Sequence, residues 1–138
     1  MVNHAEIDEE TVAALIATAR QARAQAYAPY SRFAVGAALL AADGTMIAGC
    51  NVENVSYPLG LCAERAAVAA AVVGGHRRFR AIAVVGGDGP LSPCGGCRQV
   101  LREFGDLWVI GGSAAGTALE RWRLSELLPA AFGRERGE

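Results

Sequence analysis

The sequence predicts an α/β protein in which a mixed sheet carries helices on both faces. Three observations predict it. Apolar patterns of helical period alternate with apolar runs of strand length. An Asp-Gly turn signal, Ala42-Asp43-Gly44-Thr45, joins two strand-like runs into a hairpin. The run Ala81-Ile82-Ala83-Val84-Val85 is continuously apolar, as a central strand covered on both faces must be.

Taken in order, residues from about Ile7 to Ala26 read as a helix. Asp8 can cap it, Glu9 and Glu10 suit its positive end, and Val12, Leu15, Ile16 and Ala19 recur at helical spacing. Ala28-Pro29-Tyr30-Ser31 ends it, Phe33 to Leu40 is the first strand, and Met46 to Val52 pairs back as the second. Asn51-Val52-Glu53-Asn54-Val55-Ser56-Tyr57 is a dense polar segment, either an ordinary turn or a substrate loop. Ala63 to Val73 is apolar apart from Glu64 and Arg65, which predicts a helix buried on most sides and closed by Gly74-Gly75. After the central strand, Cys97 to Phe104 reads as a helix and Leu107 to Ile110 as a strand. Thr117 to Arg123 reads as a final edge strand, and Ser125 opens a short helix. The charged tail from Gly133 is expected to be mobile.

A length of 138 residues argues for one domain spanning 1–138. Hydrophobic content of 52% against 20% charged residues argues against disorder. With a net charge of -1 there is no general basic field for a nucleic-acid backbone, so nucleic acid is not an expected partner. All 13 basic residues are Arg, which excludes Schiff-base chemistry on a lysine. No apolar run approaches the ~20 residues of a membrane span, and the polar, acidic N-terminus is unlike a signal peptide. A cytoplasmic protein with reduced thiols is expected. His4 and His76 lie in polar or Gly-rich surroundings and read as solvated.

Chemistry concentrates in Cys62-Ala63-Glu64-Arg65 and Pro93-Cys94-Gly95-Gly96-Cys97. Three thiolates suit a catalytic zinc, because tetrahedral zinc then keeps a position for water. Such zinc lowers the pKa of water from about 15.7 toward about 7. Three thiolates weaken that acidification by donating charge. Arg65 and the N-termini of two helices starting at these motifs could offset it. Glu64, two residues from Cys62, need not be a ligand and is free to shuttle protons. Two readings compete here. A structural zinc would need Cys50 as a fourth ligand, although Cys50 sits in a strand-like run and reads as a buried small hydrophobe. A disulfide is also conceivable, but Cys-x-x-Cys without a secretion signal favours metal or redox chemistry. The Gly-rich stretches at 86–90 and 111–116 match neither a phosphate loop nor a nucleophile elbow.

These two motifs follow the general zinc-deaminase signature, with Cys62 where many members have His. Together with Tyr30-Ser31-Arg32-Phe33-Ala34-Val35-Gly36-Ala37-Ala38-Leu39, Asn51 to Tyr57, Arg98-Gln99, Leu127-Leu128-Pro129 and Phe132, the chain resembles the small, homotetrameric type of cytidine deaminase over nearly its whole length. The resemblance implies a three-layer αβα fold around a five-stranded mixed sheet. It implies hydrolysis of cytidine and deoxycytidine to uridine and deoxyuridine, with release of ammonia, in pyrimidine salvage. It places one zinc per subunit on Cys62, Cys94 and Cys97, activating water for attack on C4, with Glu64 as the proton shuttle. It places Asn51 and Glu53 on the ribose hydroxyls, Phe33 against the pyrimidine, Ala63 among the substrate contacts, and Arg65 as balance for the thiolates. Tyr57 and Phe132 would act near a neighbouring subunit's site, and Gln99 would support the local network. Three rival activities remain: a deaminase of a cytosine-bearing nucleoside antibiotic, a polynucleotide cytosine deaminase, and a non-catalytic zinc-stabilised module.

Overall fold

Local sequence chemistry sets the first layer of the computed structural model, which describes residues 6–133. Helix α1 spans Glu9–Arg23, and the Asp8 carboxylate caps it by accepting the Thr11 N–H at 2.7 Å. Its acidic residues Glu9 and Glu10 lie in the first turn and Arg20 and Arg23 in the last, as the helix dipole favours. Strands β1 (Gly36–Ala41) and β2 (Met46–Cys50) form the hairpin expected at Asp43-Gly44, where Asp43 Oδ1 accepts the Thr45 N–H at 3.0 Å. There follow α2 (Ala63–Val73), β3 (Phe79–Val85), α3 (Gly95–Arg102), β4 (Trp108–Gly112), β5 (Leu119–Arg123) and α4 (Leu124–Leu127).

The strands form one mixed sheet in the order β2-β1-β3-β4-β5. Only β3 and β4 run parallel, joined through α3, and the other pairings are antiparallel. Strand β3 lies at the centre, and its alternate residues feed two cores. Ala81, Ala83 and Val85 join Val12, Leu15, Ile16 and Ala19 of α1 on one face. Ile82 and Val84 join Ala67, Val68 and Ala71 of α2 and Leu101 of α3 on the other. Each fully buried Leu, Ile or Val side chain contributes about 1.5–3 kcal/mol. The sheet is therefore held by apolar burial from both sides, in three layers.

Several expectations change. Strand β1 starts at Gly36 rather than Phe33, because the Asn51 side chain occupies the backbone groups a ladder would need. Its Nδ2 donates to the Phe33 carbonyl at 2.9 Å and its Oδ1 accepts the Val35 N–H at 2.8 Å. Strand β2 ends at Cys50, because Val52 pairs instead with Tyr27 and Leu61. Helix α2 is buried along one stripe rather than on most sides. Ala69 and Ala70 are exposed and Val73 is 89% exposed, so the apolar outer face is open in the single chain. Cys50 is half-buried on an edge strand rather than fully buried. His4, and the charged tail beyond Gly133, lie outside the described residues.

The contact between α2 and the hairpin is unusually close. A Cβ on Gly49 would lie 2.5 Å from the Ala63 carbonyl oxygen and 2.5 Å from the Ala67 nitrogen, both backbone atoms of α2. Gly49→Ala is therefore expected to push the start of α2 off the sheet and to destabilise the protein by about 1–3 kcal/mol. Thermal melting checks this, and an unchanged melting temperature would contradict the close packing.

Candidate active site

The site begins with a short segment pinned from two directions. Tyr27 donates its N–H to the Asn51 carbonyl at 3.0 Å, and Glu53 donates its N–H to the Tyr27 carbonyl at 2.8 Å. On the other side Val52 and Leu61 exchange backbone hydrogen bonds of 2.9 and 2.8 Å. In extended backbone alternate residues share a face. Asn51 and Glu53 accordingly both reach the Tyr30–Val35 loop, while Leu61 delivers the chain to Cys62.

Cys62 and Cys94 are the N-cap residues of α2 and α3, and Cys97 lies in the first turn of α3. Two helix N-termini thus converge on one point. The three sulfurs all lie within 4.8 Å of one another, with Cys94 and Cys97 3.5 Å apart. Tetrahedral zinc with Zn–S bonds of about 2.3 Å needs sulfurs about 3.8 Å apart. The spacing therefore fits the ion. So does the charge balance. The Cys97 amide, with that of Gly96, holds the Cys94 thiol below its ordinary value. Burial, and then the Glu64 carboxylate, push the Cys97 thiol far up. A cluster in which one thiol is acidified while its buried neighbour resists ionisation needs a cation to become fully thiolate. Arg65 supplies one positive charge: its Nη2 donates to Cys62 Sγ at 3.3 Å, and that contact leads the rise in its own pKa. Among the described residues the group contains Cys62, Cys94 and Cys97 and not Cys50, so the fourth thiolate of a structural site is not gathered.

A cavity of about 490 Å³ opens beside this cluster. Phe33, Asn51, Glu53, Tyr57, Ala63 and Glu64 line it, together with Cys62, Arg65 and Cys94. Glu64 is only 5% exposed, and burial raises its carboxyl above the ordinary value. That is the direction expected of a group that must hold a proton as well as release it. Glu53 behaves oppositely. The Ser31 hydroxyl and the N–H groups of Ser31 and Tyr30 hold its carboxyl below the ordinary value, so it stays an acceptor.

Phe132 is not brought to this cavity within one chain. It is 88% exposed, and Gln99 Nε2 holds its carbonyl at 2.9 Å. Tyr57, expected near a neighbouring subunit's site, lines the cavity of its own chain and meets Tyr30 edge-on at 5.7 Å. Sequence reasoning missed Leu91 and Ser92 in the cavity wall and Gly86 beneath the aromatic ring. A Cβ on Gly86 would lie 2.9 Å from Phe33 Cζ and 2.9 Å from Leu91 Cδ2. The Gly86-Gly87 pair carried that signal, but a glycine needed for close approach looks the same in sequence as one needed for a turn.

The model of the cytidine and deoxycytidylate deaminase zinc-binding region matches residues 9–112, a span that holds Cys62, Cys94, Cys97 and Glu64. The chain belongs to this deaminase family. A cytidine deaminase of Sporosarcina psychrophila is 52% identical over 124 residues, covering 88% of this chain and 90% of that protein. One from Mycobacterium tuberculosis is 53% identical over 116 residues, covering 83% and 84%. Among solved structures, cytidine deaminase from Burkholderia pseudomallei superposes with a TM-score of 0.83 at 48% identity, covering 91% of this chain and 100% of that one. That of Mycobacterium tuberculosis superposes with a TM-score of 0.75 at 45% identity, covering 94% and 100%. For a family member with this thiol geometry, metal analysis after dialysis is expected to find one zinc per chain. Cys50→Ala should retain it and Cys94→Ala should lose it. Loss from Cys50→Ala would restore the four-ligand structural site.

Proposed function

We propose that this protein hydrolyses cytidine and deoxycytidine to uridine and deoxyuridine with release of ammonia. The observation that carries the reading is that one cavity gathers the thiol cluster and buried Glu64 with an aromatic ring, an amide and an ionised carboxylate. The names of the relatives support the same chemistry.

Cys62, Cys94 and Cys97 would hold the zinc, which when bound supplies acidification of a water, from about 15.7 toward about 7. Arg65 would offset part of the thiolate charge through its bond to Cys62. Phe33 would stack on the pyrimidine, a contact worth about 1–3 kcal/mol per base in single-strand binders. Glu64 would accept a proton from the attacking water and deliver it to N3 while the oxygen bonds to C4. It would then carry the second proton to the amine, so that the C4–N bond breaks, ammonia leaves and the C4 carbonyl forms. Asn51 and Glu53 would recognise the ribose hydroxyls. A site built to bond a hydroxyl rejects an analogue lacking it by roughly 10⁴–10⁵. That separates the nucleoside from free cytosine. An ionised Glu53 would also repel a 5′-phosphate, which weighs against nucleotides and polynucleotides.

The ultraviolet absorbance of cytidine, followed with the native protein, is the direct test. Native protein should consume cytidine and leave free cytosine untouched. Glu64→Ala should lose at least ~10²–10⁴ in rate with its zinc still bound. Zinc-loaded native protein that leaves both nucleosides unchanged would move a nucleoside antibiotic to the front as substrate.

The single chain also exposes large apolar side chains: Val55 is 77% exposed, Tyr57 74%, Leu59 70% and Phe132 88%. Side chains of this kind mark an interaction site. The reading is that four copies associate and that Phe132 serves a neighbour's cavity. Four reduced thiols suit the cytoplasm. No helix among the described residues is long and apolar enough to cross a membrane. Light scattering should give four chains per particle. Phe132→Ala should lower kcat/KM for cytidine without loss of zinc, whereas a fully active monomer would end the shared-site reading.

A further inference from the structure

The loop from Tyr30 to Val35 belongs to no strand, and side chains hold much of its backbone alongside the main-chain bonds at Arg32 and Val35. Glu53 Oε1 accepts the N–H of Tyr30 at 2.9 Å and that of Ser31 at 3.1 Å. Glu53 Oε2 accepts the Ser31 hydroxyl, and the same Ser31 oxygen accepts the Phe33 N–H at 3.0 Å. Arg32, between them, has a φ of +58°, in the left-handed region that non-glycine residues enter rarely. That bend lets the chain turn back so that Phe33 meets the Ser31 oxygen. Beyond the ring, Asn51 binds the Phe33 carbonyl and the Val35 N–H. Both peptide groups flanking Phe33 are thus fixed by the segment carrying Asn51 and Glu53, and one hydroxyl makes the link to the carboxylate.

We propose that Ser31 is a positioning residue that joins the ribose-reading carboxylate of Glu53 and the base-stacking ring of Phe33 into one hydrogen-bonded unit. The proposal rests on the nucleoside reading above. Its stereochemistry is economical. An ionised carboxylate offers about four acceptor sites. Three are taken here by the two amides and the hydroxyl, which leaves one on Oε2 for a substrate hydroxyl. Ser31 thereby fixes the direction of that remaining site. A Ser hydroxyl that only capped a local turn would need the bond to Phe33 alone. The second bond, to Glu53 in a different segment, goes beyond that role.

Steady-state kinetics with cytidine test the link in the native protein, Ser31→Ala, Ser31→Thr, Glu53→Gln and the Ser31→Ala/Glu53→Gln double variant, with zinc content measured on each. A hydrogen bond to a charged group contributes enough for about a tenfold effect. Ser31→Ala should raise KM about tenfold with kcat within about threefold and zinc unchanged. Ser31→Thr, which keeps the hydroxyl, should recover most of the loss. In the Glu53→Gln background the Ser31→Ala change should add no more than about twofold, because its route through the carboxylate is already broken. An equal penalty in both backgrounds, no rescue by Thr, or an unchanged KM in Ser31→Ala would overturn the proposal and leave the nucleoside reading intact. Zinc-loaded native protein inert toward cytidine would overturn that reading and the proposal together.

Discussion

Three sulfurs within 4.8 Å of one another, beside a buried carboxylate, impose a charge problem that the surrounding structure is arranged to solve. Burial resists ionisation of Cys97, and the negative charge of Glu64 adds to that resistance. Countering it are the N-termini of α2 and α3, which point the favourable ends of their dipoles at the cluster, and Arg65 on the first turn of α2. A zinc ion completes the balance. The same requirement explains why the cysteines stand at N-cap and first-turn positions rather than mid-helix. There the backbone amides are unsatisfied and can face sulfur.

The cluster needs both helices held firmly, and the sheet supplies this. Helix α2 is seated so closely on β2 that Gly49 has no room for a side chain. Helix α3 is the crossover between the two parallel strands at the centre. Arg98, next to Cys97, ties the cysteine loop to the chain end. It donates to the Pro93 carbonyl at 2.8 Å and to the Leu127 carbonyl at 2.8 Å. The segment that carries Phe132 is therefore anchored to the helix that carries Cys97, with Gln99 as the second tether. Metal binding and the placement of the C-terminal aromatic share one support.

The groups proposed to recognise the substrate are built separately, from irregular backbone. Asn51 and Glu53 lie on a segment bonded to Tyr27 on one side and Leu61 on the other, so these polar side chains stand on rigid main chain although they belong to no strand. Their side chains in turn hold the loop that presents Phe33. The environments of the two carboxylates diverge accordingly. Glu64 is raised by burial and suited to proton transfer, whereas Glu53 is lowered by its donors and suited to accepting. One residue type is tuned in two opposite directions because the solvent and donor surroundings differ.

Much of this was legible in the chain itself. The limits of α2, Ala63–Val73, follow from the apolar run and the Gly74-Gly75 stop, because helix ends are written in nearby residues. The hairpin at Asp43-Gly44 and the buried centre of β3 are equally local signals. Each of the motifs Cys62-x-Glu64 and Pro93-Cys-x-x-Cys97 was legible because its internal spacing is a short-range property, and together they match a known signature. Tertiary structure decided the rest. The late start of β1 depends on a side chain 18 residues away taking the Phe33 carbonyl. Cys50 looked like a possible ligand only until the fold put it on an edge strand outside the group of three. The hydroxyl of Ser31 reads as an ordinary turn residue until Glu53 arrives beside it from another segment. Composition, caps, turns and ligand spacing act over a few residues and so are determined by sequence alone. Which distant groups meet, and therefore which polar atoms remain free for a substrate, depends on long-range packing, and only the folded chain decides it.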